Sequence, residues 1–158
     1  MSTRSATGLL RPRGKGTAPT PPTPTPPTQS FDLDRLAFGP ELVDYVRAGI
    51  DATAVDALVT LLGQPLSTVL ATVGISERTW ARRRLRVLTP AESDHVVRLV
   101  RLVDRATGVL GDVGTAKRWL SVPARAFDGQ TPLQMAASET GAVLVFDLLG
   151  RIEHGVFS

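Results

Sequence analysis

The chain has 158 residues, 42% of them apolar and 21% charged, enough for one compact domain or two very small ones around a buried core. With no cysteine, disulfides, thiolate metal sites and a cysteine nucleophile are excluded, which fits a cytoplasmic setting, and the 5% aromatic share leaves the core to Leu, Val and Ala. The net charge of +3 divides into +4 over residues 1–30, zero over 31–90 and −1 over 91–158, so bulk charge gives the later residues no claim on nucleic acid.

Residues 1–30 carry Arg4, Arg11, Arg13 and Lys15 without an acid, followed by Pro19, Pro21, Pro22, Pro24, Pro26 and Pro27 among threonines. This composition favours extended polyproline II and offers nothing to bury, so a disordered basic tail is expected. A solvated spacer, a ligand for a proline-binding module and an arm on DNA phosphates are the roles open to it. Met1 to Gly16 lacks the apolar stretch of a secretory signal; its Arg/Ser-rich, acid-free composition has a superficial likeness to an organellar transit peptide. No apolar run approaches the roughly 18–20 residues that span a bilayer, and no membrane association is expected.

From Phe31 the pattern is helical, and residues 31–90 are expected to form a first domain. Gly39-Pro40 opens a helix to about Ala48, with proline at the first position. Asp51 is placed to cap a second, carrying Val55, Leu58, Val59 and Leu62 and stopping at Gly63. A third starts at Pro65, sets Leu66, Val69, Leu70 and Val73 on one side, and ends at Gly74. Ser76 caps a fourth, expected to run to about Val87.

The stretch from Leu66 to Trp80 has the build of a helix–turn–helix. Gly74 tolerates the positive φ of the turn, and Val69, Leu70, Val73, Ile75 and Trp80 fasten the two helices together. At 100° per residue the second helix turns Arg78, Arg82 and Arg86 outward, with Thr79 beside them and Arg83 at the edge. Trp80, Ala81, Val87 and Leu88 are expected to face inward. Arginine pairs with phosphate and reads guanine with two hydrogen bonds, and such a helix offers its N-terminal residues to base edges. Ser76, Arg78, Thr79, Arg82, Arg83 and Arg86 are therefore the candidate DNA contacts. A surface this neutral needs a dimer to bind tightly at physiological salt. The plainer reading is a helical corner whose arginines are a solvated face.

Residues 91–158 are expected to form a second domain. Thr89-Pro90-Ala91-Glu92 is a capping box opening a long helix with Val96, Leu99, Val100, Val103 and Ala106 at helical spacing, ended by Gly108 and Gly111. Asp112 caps the next helix, which Pro123 closes, and a loop runs to Gly129. Thr131-Pro132-Leu133-Gln134 repeats the capping-box pattern. A last helix, about Glu139 to Glu153, is apolar almost all round, which places it at the centre of the core or beneath a partner subunit. No stretch alternates with period two, so the fold is expected to be all-α, and no internal repeat is visible.

Catalytic patterns are missing. His95 and His154 lie far apart, and Glu92 with His95, three apart on a helix, lacks two further metal ligands. Gly108-Val109-Leu110-Gly111 lacks the Lys-Ser/Thr of a phosphate loop, and no serine has a nearby base. No enzyme activity, cofactor or metal is expected.

Several motifs late in the chain occur together. They are Ala116 with Trp119-Leu120, Gly129 with Thr131-Pro132-Leu133, Thr140-Gly141, and Leu149-Gly150-Arg151-Ile152-Glu153-His154-Gly155-Val156. On these, Glu92 to Ser158 resembles the toxin-binding domain of Xre/MbcA/ParS-type bacterial antitoxins, and Leu42 to Leu88 is similar to the Xre-type helix–turn–helix that precedes it. The resemblance implies a type II antitoxin whose partner is a RES-domain toxin, an enzyme that consumes NAD⁺ or uses it for ADP-ribosylation. It also implies that the carboxy-terminal region caps the toxin's active-site entrance, that antitoxin or complex represses its own operon, and that the protein forms a homodimer and a hetero-oligomer with toxin. The toxin contacts carried over are Arg151, Glu153, His154, Gly155, Val156, Phe157 and Ser158.

The residues point the same way. Leaving Val156 and Phe157 in water forgoes the roughly 1.5–3 kcal/mol of burying a phenylalanine, so a partner, a subunit or the chain's own domain is expected to cover them. Antitoxin and autoregulatory repressor is the reading these features support. A dimeric transcriptional repressor whose second module serves only oligomerisation is the alternative.

Overall fold

The computed structural model describes residues 40–84 and 86–155; the expected Pro/Thr-rich tail and Val156 to Ser158 lie outside them. Eight α-helices follow one another: α1 Pro40–Ala48, α2 Thr53–Leu62, α3 Leu66–Val73, α4 Glu77–Arg83, α5 Pro90–Leu110, α6 Val113–Ser121, α7 Pro132–Met135 and α8 Glu139–Glu153. Among the described residues no strand forms, and one isolated antiparallel bridge joins Asp51 to Val87. The all-α expectation holds.

The local signals act as chemistry requires. Thr89 Oγ1 accepts from the Glu92 N–H, and the Glu92 carboxylate accepts from the Thr89 N–H at 2.7 Å, so α5 begins with two orphan donors satisfied. The same reciprocal pair, Thr131 with Gln134, starts α7. Asp112 caps α6 through the Thr115 N–H at 2.9 Å. Asp51 stands one residue before the N-cap of α2, which is Ala52 and carries no side-chain cap; the Asp51 carboxylate accepts from the Thr53 N–H at 2.8 Å in the turn leading into the helix. α3 ends in a Schellman turn: Gly74 sits at φ 82°, its N–H donates to Ala71, and the Ile75 N–H reaches back to Leu70 at 2.9 Å.

Two helices depart from expectation. α5 passes through Gly108 and stops only at Gly111, because Val109 and Leu110 still pack against the core. α4 stops at Arg83, well short of Val87. Beyond it the chain is held by α1–α2: the Ala52 N–H donates to Arg86, and the Leu88 N–H donates to Ile50 at 2.8 Å. These contacts bury Leu88 and leave Val87 56% exposed, and Ala81 is exposed too, so neither faces inward as the helical wheel indicated. Thr89 precedes Pro90, a position that disfavours helix in any case.

α5, about 31 Å long, is the axis of the molecule. Beside the expected row it buries Val97 and Leu102, so most of its circumference is covered. α1, α2 and α3 pack on it, and so do α6 and α8. One continuous apolar core runs from Ile50 and Leu58 through Val96 and Leu102 to Leu120 and Leu149. Ser93, fully buried on α5, accepts from the Ile50 N–H at 2.9 Å, so its hydroxyl is not left unpaired.

Between α6 and α7 a short 3-10 turn at Arg125–Phe127 buries Phe127, an anchor that the turn-rich sequence concealed. α7 and α8 approach so closely that a Cβ built on Gly141 lies 2.0 Å from the Met135 carbonyl oxygen, which reserves that position for glycine. Among the described residues no single helix is long and apolar enough to cross a membrane; α2 and α3 pass that test only together, bent by 118° at their turn.

Candidate functional site

The first candidate surface is the outer side of α4. Ser76 starts this helix squarely, its Oγ accepting the Thr79 N–H at 3.1 Å, which occupies the hydroxyl as a cap. Trp80 is buried with Val69, Leu70, Val73 and Ile75, the set expected to fasten the helical corner. With Trp80 inward, Arg78, Thr79, Arg82, Arg83 and Arg86 line one concave surface of about 410 Å³. Arg86 reaches it from the turn after α4, where its N–H donates to Arg83. Five of the six expected DNA contacts therefore converge, and Ser76 stands at the helix start beside them.

Their charges are not equivalent. Among the described residues, no acidic group pairs with the guanidinium of Arg78, Arg82 or Arg86. Arg83 instead donates two hydrogen bonds to Glu92 on α5, at 3.1 and 3.2 Å, and the two side chains are 34% and 14% exposed. Partial burial raises the Glu92 pKa, but hydrogen bonds from Thr89 and the charge and hydrogen bonds of Arg83 outweigh it, leaving this carboxyl below its ordinary value.

His95 Nδ1–H donates to the Val73 carbonyl at 2.6 Å, at the C-terminal end of α3, so this side chain serves the helical corner. Among the described residues no group of three or more His, Cys, Asp or Glu side chains gathers that could hold a metal ion.

The second candidate surface is the far end of α8. Ser138 caps this helix through the Gly141 N–H, and Ala142, Val145 and Leu149 bury one face. The opposite face leaves Val143 and Leu144 49% and 46% exposed, so the helix lies at the edge of the core and not at its centre. Ion pairs to α5 hold both ends: Arg98 with Glu139, and Arg105 with Glu153. The hydrogen bond from Arg105 is the largest cause holding the Glu153 carboxyl below its ordinary value; desolvation opposes it, and the Arg105 charge adds to it.

α8 terminates as His154 donates its N–H to Gly150 and Gly155 adopts φ 67°. Arg151 and His154 are exposed at this end; Glu153 is the member of the expected set drawn into the protein's own structure. Val156, Phe157 and Ser158 lie outside the described residues. The pairings of Arg83 with Glu92 and of Glu153 with Arg105 were not evident from the sequence. Their partners stand nine and 48 residues apart, and no local spacing announces them.

Comparison with known proteins adds to this geometry. Residues 41–101 match the antitoxin Xre-like helix-turn-helix domain, and residues 105–155 match the antitoxin Xre/MbcA/ParS C-terminal toxin-binding domain. The two matched stretches meet within α5. An antitoxin Xre of Yersinia enterocolitica is 37% identical over 123 residues, spanning 76% of this chain and 83% of the relative. One of Photorhabdus laumondii is 34% identical over the same shares. One of Pseudomonas putida is 41% identical over 68 residues, 43% of each chain.

Proposed function

This chain belongs to the Xre family of antitoxins, joining a helix–turn–helix domain to a toxin-binding domain, and on that premise we propose that it neutralises a RES-type, NAD⁺-directed toxin by occlusion. The end of α8 and the residues after it, Arg151 to Ser158, cover the toxin's active-site entrance. The observation that carries this reading is how α8 is held. Its two ends are ion-paired to α5 and its inner face is buried, so Arg151 and His154 are presented from a fixed support. A preorganised support lowers the ordering cost of binding. The role is one of binding and not of catalysis.

The same protein represses its own operon as a dimer, alone or with toxin. Arg78, Thr79, Arg82 and Arg86 supply the contacts, with the start of α4 toward base edges and Arg86 toward phosphate. Co-expression tests the antitoxin reading: the toxin encoded beside this protein arrests growth alone, and the full chain relieves the arrest. Removing residues 151–158 abolishes relief while the chain stays folded. Relief that survives the removal takes this segment out of the mechanism. Absence of any relief by the full chain leaves the dimeric-repressor reading.

A further inference from the structure

The concave surface on α4 holds four guanidinium groups, and one of them differs in kind. Arg78, Arg82 and Arg86 carry unpaired charge among the described residues, whereas Arg83 at the rim is joined to Glu92 through both terminal nitrogens. Glu92 is committed to that geometry. Its side chain is 14% exposed and its carboxylate accepts the Thr89 N–H as part of the capping box, which fixes it beside Arg83. A bidentate carboxylate is also what an arginine would otherwise exchange for a DNA phosphate.

We propose that Glu92 is a specificity-determining positioning residue of the DNA-binding surface, one that withholds Arg83 from the phosphate backbone. Binding to arbitrary DNA is almost wholly a matter of phosphate neutralisation, whereas base-edge contacts come from the start of α4, where Arg83 does not reach. Neutralising this one guanidinium lowers sequence-independent affinity and leaves readout by Arg78 and Thr79 in place. Glu92 thereby raises the ratio of specific to non-specific binding. The inference rests on the DNA reading of α4 given above.

The test is fluorescence anisotropy of the full chain on two labelled duplexes, one of random sequence and one from upstream of its own gene, between 50 and 200 mM KCl. Glu92→Gln keeps the capping box, since glutamine serves at that position, but loses the charge. Its log–log salt slope on the random duplex is expected to steepen by about 0.9 per bound subunit, an added affinity loss of about 3–4-fold across that range. Adding Arg83→Gln is expected to return the slope to that of the unaltered protein.

An E92Q slope that does not move overturns the inference. So does a double variant shallower than the unaltered protein by about 0.9, because Arg83 would then already be touching phosphate. That second comparison stands whether or not E92Q alone folds. If the unaltered protein binds neither duplex in a salt-dependent way, the DNA reading falls and takes this inference with it. A salt-dependent unaltered protein with an unmoved variant removes the inference alone.

Discussion

Arg83 on α4 and Glu92 on α5 meet through two hydrogen bonds of 3.1 and 3.2 Å, tying the arginine-bearing helix to the residue that caps the central one. α4 is only seven residues long and buries Trp80, so this pair, with the Arg84–Asp56 ion pair at the helix end, helps to aim its outer face. Short helices are marginal by themselves and take their stability from such tertiary anchors.

Arg78→Ala with Arg82→Ala removes two guanidiniums from the concave surface without touching the core. Operator binding in a gel shift is expected to weaken strongly, about 10-fold or more at physiological salt, while toxin neutralisation in co-expression stays intact. An unchanged gel shift retires α4 as the contact helix.

Acid is expected to loosen the fold. Glu92, Asp112 and Glu153 all titrate below their ordinary values of 4.5, 3.8 and 4.5. A folded-state pKa below the unfolded one gives stability that is complete above the ordinary value and is lost as pH falls through the lowered one. Tm is therefore expected to stay level from neutral pH to about 5 and to drop below that. Glu153→Gln should reduce the steepness of the drop, and added salt should mask its effect, because the Arg105–Glu153 pair is partly exposed. A Tm falling equally in both proteins shows that this pair has no part in it.

Trp80 separates packing from hydrogen bonding. Its indole is buried in the core, yet Nε1 has no partner among the described residues. Trp80→Ala is expected to cost about 3–5 kcal/mol in urea denaturation. Trp80→Phe should cost well under half of that, since it keeps most of the apolar volume and deletes an unpaired buried donor. Equal losses would mean that the indole N–H is hydrogen-bonded in solution.

Gly141 offers a test of the α7–α8 junction. Alanine there needs room that the Met135 carbonyl occupies, so Gly141→Ala is expected to lower stability by about 1–3 kcal/mol despite alanine's better helix propensity. Thermal unfolding reads this directly; a rise in Tm would show that α7 yields without strain.

Local signals in the sequence were legible because their causes are local. The Thr89–Glu92 and Thr131–Gln134 boxes, the Asp112 and Ser76 caps and the Gly74 turn each depend on residues within one helical turn, and each sits where the pattern indicated. What stayed hidden was tertiary. The fourth helix is shorter than its pattern predicts because its end is decided by the Ile50–Leu88 and Ala52–Arg86 hydrogen bonds, made to residues more than 30 positions away. The burial of Phe127 escaped for the same reason, since Gly, Pro and Asp around it signal only a loop. Of the candidate DNA contacts, the wheel put Arg86 on a helix, whereas a turn carries it to the concave surface it shares with Arg78 and Arg82.

α5 is a single unbroken rod to which the arginine surface and the α8 end are both bolted, so the angle between them is counted in residues. Each residue added to or removed from its middle turns one site against the other by about 100° and shifts it by about 1.5 Å. A chimaera that exchanges one half for a homologue's thus preserves the geometry only if the splice keeps the helical phase, however well the two halves fold.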